Sequence, residues 1–278
     1  MERLVRTLPE REAVAGITSL ACEIYLLRLK ERDQVEVYDD ITYRLRRCLT
    51  VPNARVFTDM TSCEHYRCVY IGDHIGKCIH RLASWYKVQG AVTRWAVNDI
   101  AAGLSVNSAH NVLVTCRYVR MIKEFSSYGN LLRKVTFPDD VTSLSHAIQS
   151  VHSGQFIVCH GLSGEPVHRV CVMSADGRQI VHSHGGQPGS HTGQYRGPAH
   201  LAVDDNEFVF VADVNNRRVT LLSPTLEYVR HAVSRDQLKG WPHKLYLDRQ
   251  RRHLYVVENK WNETQRSFTA GHVVVFSV

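Results

Sequence analysis

The sequence predicts an all-β fold, a six-bladed β-propeller of four-stranded antiparallel blades. Two observations lead there. Short runs rich in Val, Ile, Tyr and Phe recur along the whole chain between turn residues, while long stretches of helical period are scarce. The runs also recur at a nearly fixed interval. Ile24-Tyr25-Leu26-Leu27, Val69-Tyr70-Ile71, Val112-Leu113-Val114, Phe156-Ile157-Val158, Val209-Phe210-Val211 and Leu254-Tyr255-Val256-Val257 begin 45, 43, 44, 53 and 45 residues apart. A period of about 40–50 residues with several strands per unit is the mark of a propeller, and 278 residues divided by six give about 46.

The elements follow from that anchor, called strand b here. A strand a precedes it, as in His200-Leu201-Ala202-Val203 and Lys244-Leu245-Tyr246-Leu247. A strand c follows, for example Val35-Glu36-Val37-Tyr38, Cys78-Ile79-His80 or Val219-Thr220-Leu221-Leu222. Strand d comes last, as in Gln179-Ile180-Val181-His182 and Tyr228-Val229-Arg230-His231. The sixth unit runs out at Val278 after its strand c, Val273-Val274-Val275-Phe276. Leu4-Val5-Arg6-Thr7-Leu8 alternates like a strand and precedes the first unit, so it is expected to supply the missing strand d. Pairing the two ends in this way removes an exposed edge at the seam. Residues 1–278 are then one propeller domain.

Composition bounds the setting. With 44% hydrophobic and 22% charged residues, disorder is excluded as the main state. No run of 18 apolar residues exists to span a membrane. Met1 to Glu10 shows no apolar segment or small-residue cleavage site of a secretory signal, so a cytoplasmic location is expected. In that compartment the eight cysteines are expected to be free thiols. Cys63, His65, Cys68 and Cys78 offer zinc ligands, but their spacing matches no common zinc module. Buried structural thiols, with no metal and no cofactor, are the expectation.

A family resemblance rests mainly on one stretch. His184-Gly185-Gly186-Gln187-Pro188-Gly189-Ser190-His191-Thr192-Gly193-Gln194-Tyr195-Arg196-Gly197-Pro198 leads into Leu201-Ala202-Val203-Asp204. Val209-Phe210-Val211-Ala212-Asp213-Val214-Asn215-Asn216-Arg217-Arg218-Val219 follows. This resembles the NHL repeat, in which a Gly-rich linker and a Pro precede strand a. A Val-Asp turn comes next, then Ala-Asp and Asn-x-Arg between strands b and c. Trp241-Pro242-His243-Lys244-Leu245-Tyr246-Leu247-Asp248 is a weaker second copy. The first four units keep the rhythm without the punctuation, and no Trp-Asp dipeptide ends a blade. Such rings are similar to the C-terminal domain of tripartite-motif ubiquitin ligases, although no RING or B-box array is present, and some NHL proteins bind RNA. The glycines and aspartates read as architectural: positive φ where blades meet and carboxylates accepting turn N–H groups.

The candidate site follows from the loops. In an antiparallel blade the b–c and d–a connections emerge on one face. Departures from the regular spacing, at Gly161–Pro166, Gly185–Gly197 and Asn259–Ala270, all fall on that face, and elaborated loops on a rigid scaffold carry function. The b–c loops are expected to bring Arg117, Tyr118, Arg217, Lys260, Trp261 and Arg266, with His74 and His160 beside them. The d–a loops bring Tyr195, Arg196, Trp241 and His243. Arginines outnumber lysines 26 to 8, and Arg, Tyr and Trp are favoured at protein interfaces.

A non-enzymatic scaffold binding a protein or peptide is therefore expected. Single-stranded RNA stacking on the same face is the alternative; neither DNA nor a membrane is expected as a partner, and the domain is expected to be monomeric. The short basic runs do not make a patch, and the net charge of +7 is modest. The face also holds His182, His184, His191, His200 and His243, from which a metal-dependent lyase or hydrolase site is conceivable; propellers similar to this one, the peptidyl-amidating lyases, use His-bound zinc. No G-x-S-x-G, H-E-x-x-H or Walker A motif occurs.

Overall fold

Strand b of the repeat is buried from end to end. β3 (Glu23–Arg28), β7 (Cys68–Asp73), β11 (Val112–Cys116), β15 (Phe156–His160) and β19 (Val209–Asp213) expose no residue. A strand covered on both faces reads as a continuous apolar run rather than an alternation, which is why these segments anchor the period. The computed structural model describes residues 3–29, 33–83, 92–162, 164–265 and 267–278.

Six four-stranded antiparallel sheets form the blades of a propeller. β2 (Val14–Leu20), β3, β4 (Gln34–Asp39) and β5 (Leu45–Thr50) make the first. β6 (Phe57–Cys63), β7, β8 (Cys78–Ala83) and β9 (Val92–Ala96) make the second. β10 (Ala101–Val106), β11, β12 (Met121–Phe125) and β13 (Leu131–Thr136) form the third, and β14 (Leu144–Gln149), β15, β16 (His168–Met173) and β17 (Ile180–Gly186) the fourth. The fifth holds β18 (Pro198–Val203), β19, β20 (Arg218–Leu222) and β21 (Tyr228–Val233). The sixth holds β22 (Trp241–Asp248), β23 (His253–Asn262), β24 (Ser267–Ser277) and, as its outer strand, β1 (Arg3–Thr7).

The N-terminal segment thus closes the ring. Leu4 faces Phe276 and Thr7 faces Val274, and the Leu8 N–H donates to the Val273 carbonyl at 2.8 Å. The Asn259 amide copies a peptide group across the same seam. Its oxygen accepts from the Val14 N–H at 2.8 Å and its nitrogen donates to the Val14 carbonyl at 2.9 Å.

Apolar side chains fill the spaces between blades. Phe210, Val219, Leu245, Leu254 and Phe276 belong to one such cluster joining the fifth blade to the sixth. The outer strands face solvent and are charged at their edges, with Arg46 and Arg47 on β5 and Arg133 and Lys134 on β13, which discourages edge pairing. Cys63, Cys68, Cys78, Cys116, Cys159 and Cys171 are buried free thiols. Cys63 pairs with Cys68 at one end of β7 and Cys78 faces Asp73 at the other, so these cysteines cannot share a zinc ion. One expectation needs correction. Residues 259–262 and 267–270 are strand rather than loop, because β23 and β24 extend as a hairpin as far as Asn262 opposite Ser267.

Candidate functional site

All six inner strands slip register at the same point. The shifts lie between Val14 and Gly16, Phe57 and Asp59, Ala101 and Gly103, Leu144 and His146, Pro198 and His200, and Pro242 and Lys244. A bulge re-aims side chains and is common beside functional sites. Here it creates two stacked layers. The skipped residues Thr58, Ala102, Ser145, Ala199 and His243 line a cavity of about 750 Å³ on the face of the b–c and d–a connections. The residues that follow them make a layer beneath, on the ring axis.

That lower layer is a compact polar cluster. Lys244 Nζ lies 3.0 Å from one oxygen of Asp59. The other oxygen accepts from the Leu104 N–H at 2.8 Å and lies 3.3 Å from His200 Nε2. The His200 Nδ1 accepts the Leu245 N–H at 3.3 Å, which leaves Nε2 as the protonated nitrogen facing Asp59. His146 stacks on His200 with ring centres 3.7 Å apart. Gly103 makes room for it, since a Cβ there would come within 2.7 Å of the His146 ring. Burial works against the Asp59 charge, yet Lys244 and His200 hold its carboxyl well below the usual carboxylate range. Burial pushes both histidines down, His146 the further because it lies against His200.

Asp59, His146 and His200 bring three potential metal-ligand atoms within 4.8 Å of one another. Their geometry does not suit one ion. The stacked rings, 3.7 Å apart and inclined by only 24°, hold their nitrogen lone pairs in nearly parallel planes, whereas a metal needs them to converge on one point. Lys244 already supplies the cation. A second cluster, Asp73, Cys78 and His80, is also buried, but the Asp73 carboxylate accepts the N–H groups of Arg55, Val56 and Gly76 at 3.0, 3.2 and 2.8 Å. Asp213 at the end of β19 and Glu258 within β23 act in the same way and accept from the N–H groups of Arg196 and of Lys239 and Gly240. These carboxylates fasten the incoming d–a connection.

The cavity has two unlike walls. Trp241, Trp261 and Phe268 stand on the sixth blade, and Arg117 and Tyr118 reach in from the third with His74 from the second. Trp261 meets Phe268 edge-on at 5.1 Å, and His243 meets the same ring at 4.3 Å, an arrangement that aromatic quadrupoles favour. Burial, reinforced by the Lys244 charge, pushes His243 down to about 3. Its ring is therefore neutral at pH 7.

Of the residues expected at the face, His74, Arg117, Tyr118, Trp241, His243 and Trp261 are brought together here. Tyr195, Arg196, Arg217 and Lys260 are not in the lining. Tyr195 is 1% exposed and packs in the core between the fourth and fifth blades, because the Gly-rich connection folds back over it. Arg196 is exposed outside the cavity lining, and its backbone N–H is fixed by Asp213. Arg217 adopts a left-handed backbone, donates to the Leu238 carbonyl at 2.7 Å and lies over the Trp241 ring. It ties two connections together. Lys260 is paired with Glu10 at 2.8 Å. Arg266 lies outside the described residues. His182 and His184 sit on outer strand β17 and His191 on an exposed connection, so the five face histidines do not converge. Sequence reasoning missed Asp59 and His146. Aligning the six a strands at the bulge brings them out, though no shared residue type marks that position.

No model of a known protein family matches the chain, and none of the curated proteins does. Among solved structures, a catalytically inactive variant of virginiamycin B lyase from Staphylococcus aureus with quinupristin is similar. It shows 9% identity and a TM-score of 0.66 over 100% of this chain and 98% of that one. A Bacteroides caccae protein of unknown function gives 13% identity and a TM-score of 0.64 over 86% and 84% of the two chains. The Cps50 (Swd1) β-propeller domain of Myceliophteria thermophila gives 10% and 0.62 over the whole of both. At these identities the likeness shows the fold alone, a β-propeller, which in this chain is a ring of six four-stranded antiparallel blades.

Proposed function

We propose that the protein is a non-enzymatic binding scaffold, similar in kind to NHL-repeat propellers, whose cavity engages a peptide segment of a protein partner. One observation carries the reading: an open cavity of about 750 Å³ walled by Trp241, Trp261 and Phe268. Aromatic side chains of this kind bury large areas at low entropic cost, which is why they dominate interface hot spots. The resemblance in the fifth blade agrees with a scaffold role, since the residues that carry it work internally. Arg218 donates to Asp213 at 2.8 Å and to the carbonyls of Ser190, His191 and Gln194, holding the Gly-rich connection in place.

Single-stranded RNA is the weaker reading. A phosphate track needs free cations, and Arg217, Lys244 and Lys260 are each engaged within the protein. The test is selection from a displayed random-peptide library, counter-selected against the Trp241→Ala/Trp261→Ala double variant. Enriched peptides should lose binding to that variant by more than about tenfold. Peptides that bind both proteins equally, or retention of single-stranded RNA that falls steeply with salt, would reject the peptide reading.

A further inference from the structure

The second blade differs from its neighbours on the cavity face in how its positive charge is met. Its b–c turn sends His74 into the cavity, while Ile75 and Lys77 of the same turn stand exposed beside it. Arg55 is exposed on the connection entering the blade, three residues before Thr58 of the cavity floor. Arg94, on outer strand β9, is exposed opposite His80. The Asp73 carboxylate gathers the first two, accepting the N–H of Arg55 at 3.0 Å and that of Gly76, the residue before Lys77, at 2.8 Å. Burial and the Asp73 charge push the Cys78 thiol up, and the Arg94 and Arg55 guanidinia both oppose that shift, so their charges act on the same end of β8. None of the three cations has a carboxylate within ion-pair distance among the described residues.

Equivalent positions on other blades are answered. The residue before strand c takes a left-handed backbone in the second, third and fifth blades, as Lys77, Arg120 and Arg217. Arg120 pairs with Asp139 at 2.6 Å and Arg217 donates to the Leu238 carbonyl at 2.7 Å, each reaching the connection that leaves its blade. The acid on the connection beside Lys77 is Asp99, and Lys123 takes it at 2.5 Å. Arg169 and Lys260, on the fourth and sixth blades, pair with Asp140 and Glu10. Elsewhere on the face Arg196 stands singly, and Arg235 and Lys239 share their connection with Asp236. One exposed acid, Asp33, flanks the second blade from the first, which leaves the three cations a net positive charge.

We propose that this end of the second blade, continuous with the cavity, docks an acidic stretch of the partner segment. An apolar residue of the segment packs on Trp241, Trp261 and Phe268, and the chain crosses the cavity mouth so that Asp or Glu side chains reach Arg55, Lys77 and Arg94. The inference rests on the cavity being the peptide site and adds the sequence character that it selects. Exposed charges of one sign steer a complementary partner and turn away a like-charged one. Three cations on one blade fall short of a groove that tracks a nucleic-acid strand.

The test is a fluorescence-polarisation titration of the full chain with two labelled peptides, Trp-Gly-Ser followed by a run of glutamates and the same peptide with glutamines. At low salt the glutamate peptide should bind about tenfold more tightly, as three exposed charge contacts together supply, and the ratio should fall to about threefold or less at about 0.5 M salt. Arg55→Glu/Lys77→Glu/Arg94→Glu should abolish or reverse the preference, and Arg55→Gln/Lys77→Gln/Arg94→Gln should bring it to about threefold or less. Arg235→Glu/Lys239→Glu/Arg252→Glu changes net charge equally at other places and should keep most of it. If both charge-reversed proteins lose the preference alike, net charge is responsible and the proposal is overturned. Equal binding of the two peptides by the wild type overturns the docking surface alone if Trp241→Ala/Trp261→Ala still weakens both. If that aromatic variant changes neither peptide, the cavity reading falls and the docking surface with it. Failure of the glutamate peptide to bind also overturns the proposal. So does oligouridylate that binds more tightly than the glutamate peptide and is lost with Arg55, Lys77 and Arg94, which would give the surface to RNA.

Discussion

Thr58 and Asp59 are neighbours in the chain, as are Ser145 and His146 and also His243 and Lys244, yet each pair divides between two layers with opposite character. On the axis, Asp59 is bonded to Lys244, His200 and the Leu104 N–H. One residue nearer the face, Thr58, Ser145 and His243 carry buried atoms with no partner. The same bulge makes both layers. A buried charge must be answered within the fold, so the axial layer stabilises the ring. The upper layer lines the cavity, and the charge that has to be answered lies one residue below it.

The largest test of the contrast is Lys244→Met. Removing the cation strands Asp59, and a loss of about 3–5 kcal/mol is expected, read as a lowered urea midpoint. Adding Asp59→Asn should restore much of it, and a single-variant loss below about 1 kcal/mol would show that the pair does not hold the axis. Arg218→Leu comes next. Asp213 keeps the Arg196 N–H and Asn216, so the expected loss is about 2–3 kcal/mol. The Gly-rich connection over Tyr195 should then be cut faster by protease, and unchanged cleavage would argue against Arg218 as its fastening.

pH offers a third comparison. Burial holds His160 near about 4 and lowers His146 and His200, whereas an unfolded histidine titrates near about 6.5. The unfolded chain therefore binds more protons below that value, and stability must fall as pH drops through it toward the folded pKa. For His160, which is fully buried, the loss between pH 7 and pH 5 is about 2 kcal/mol. Urea midpoints at the two pH values check this; an equal or higher midpoint at pH 5 would contradict neutral buried rings. The smallest effect belongs to the floor. Thr58→Val and Ser145→Ala should each change stability by less than about 0.5 kcal/mol or raise it slightly, because an unmatched polar atom is removed. A large loss in either would place that side chain with the axial layer.

Much of the architecture was legible in the sequence. The six strand-b runs are continuous apolar segments because both of their faces are covered, and that alone fixes the repeat and its period. Leu4 to Leu8 read as the missing outer strand because the last unit lacked one, and β1 pairs with β24 accordingly. The site was legible only in outline. Trp241, Trp261, Arg117 and Tyr118 were expected on the right face, since loop position and residue type are local properties. Tyr195 is buried and Arg217 and Lys260 are engaged within the protein, because the availability of a loop side chain depends on what folds over it or pairs with it.

Local order along the chain thus determined the blades, their number and the face that bears the elaborated connections. Only the closed ring decided the rest. Asp59 and Lys244 stand 185 residues apart in sequence and 3.0 Å apart in space, and no pattern within a blade records that a carboxylate on the second will meet an ammonium on the sixth. Closure brings one position from every blade to a single axis, and it is there that unlike residues from distant repeats become one cluster.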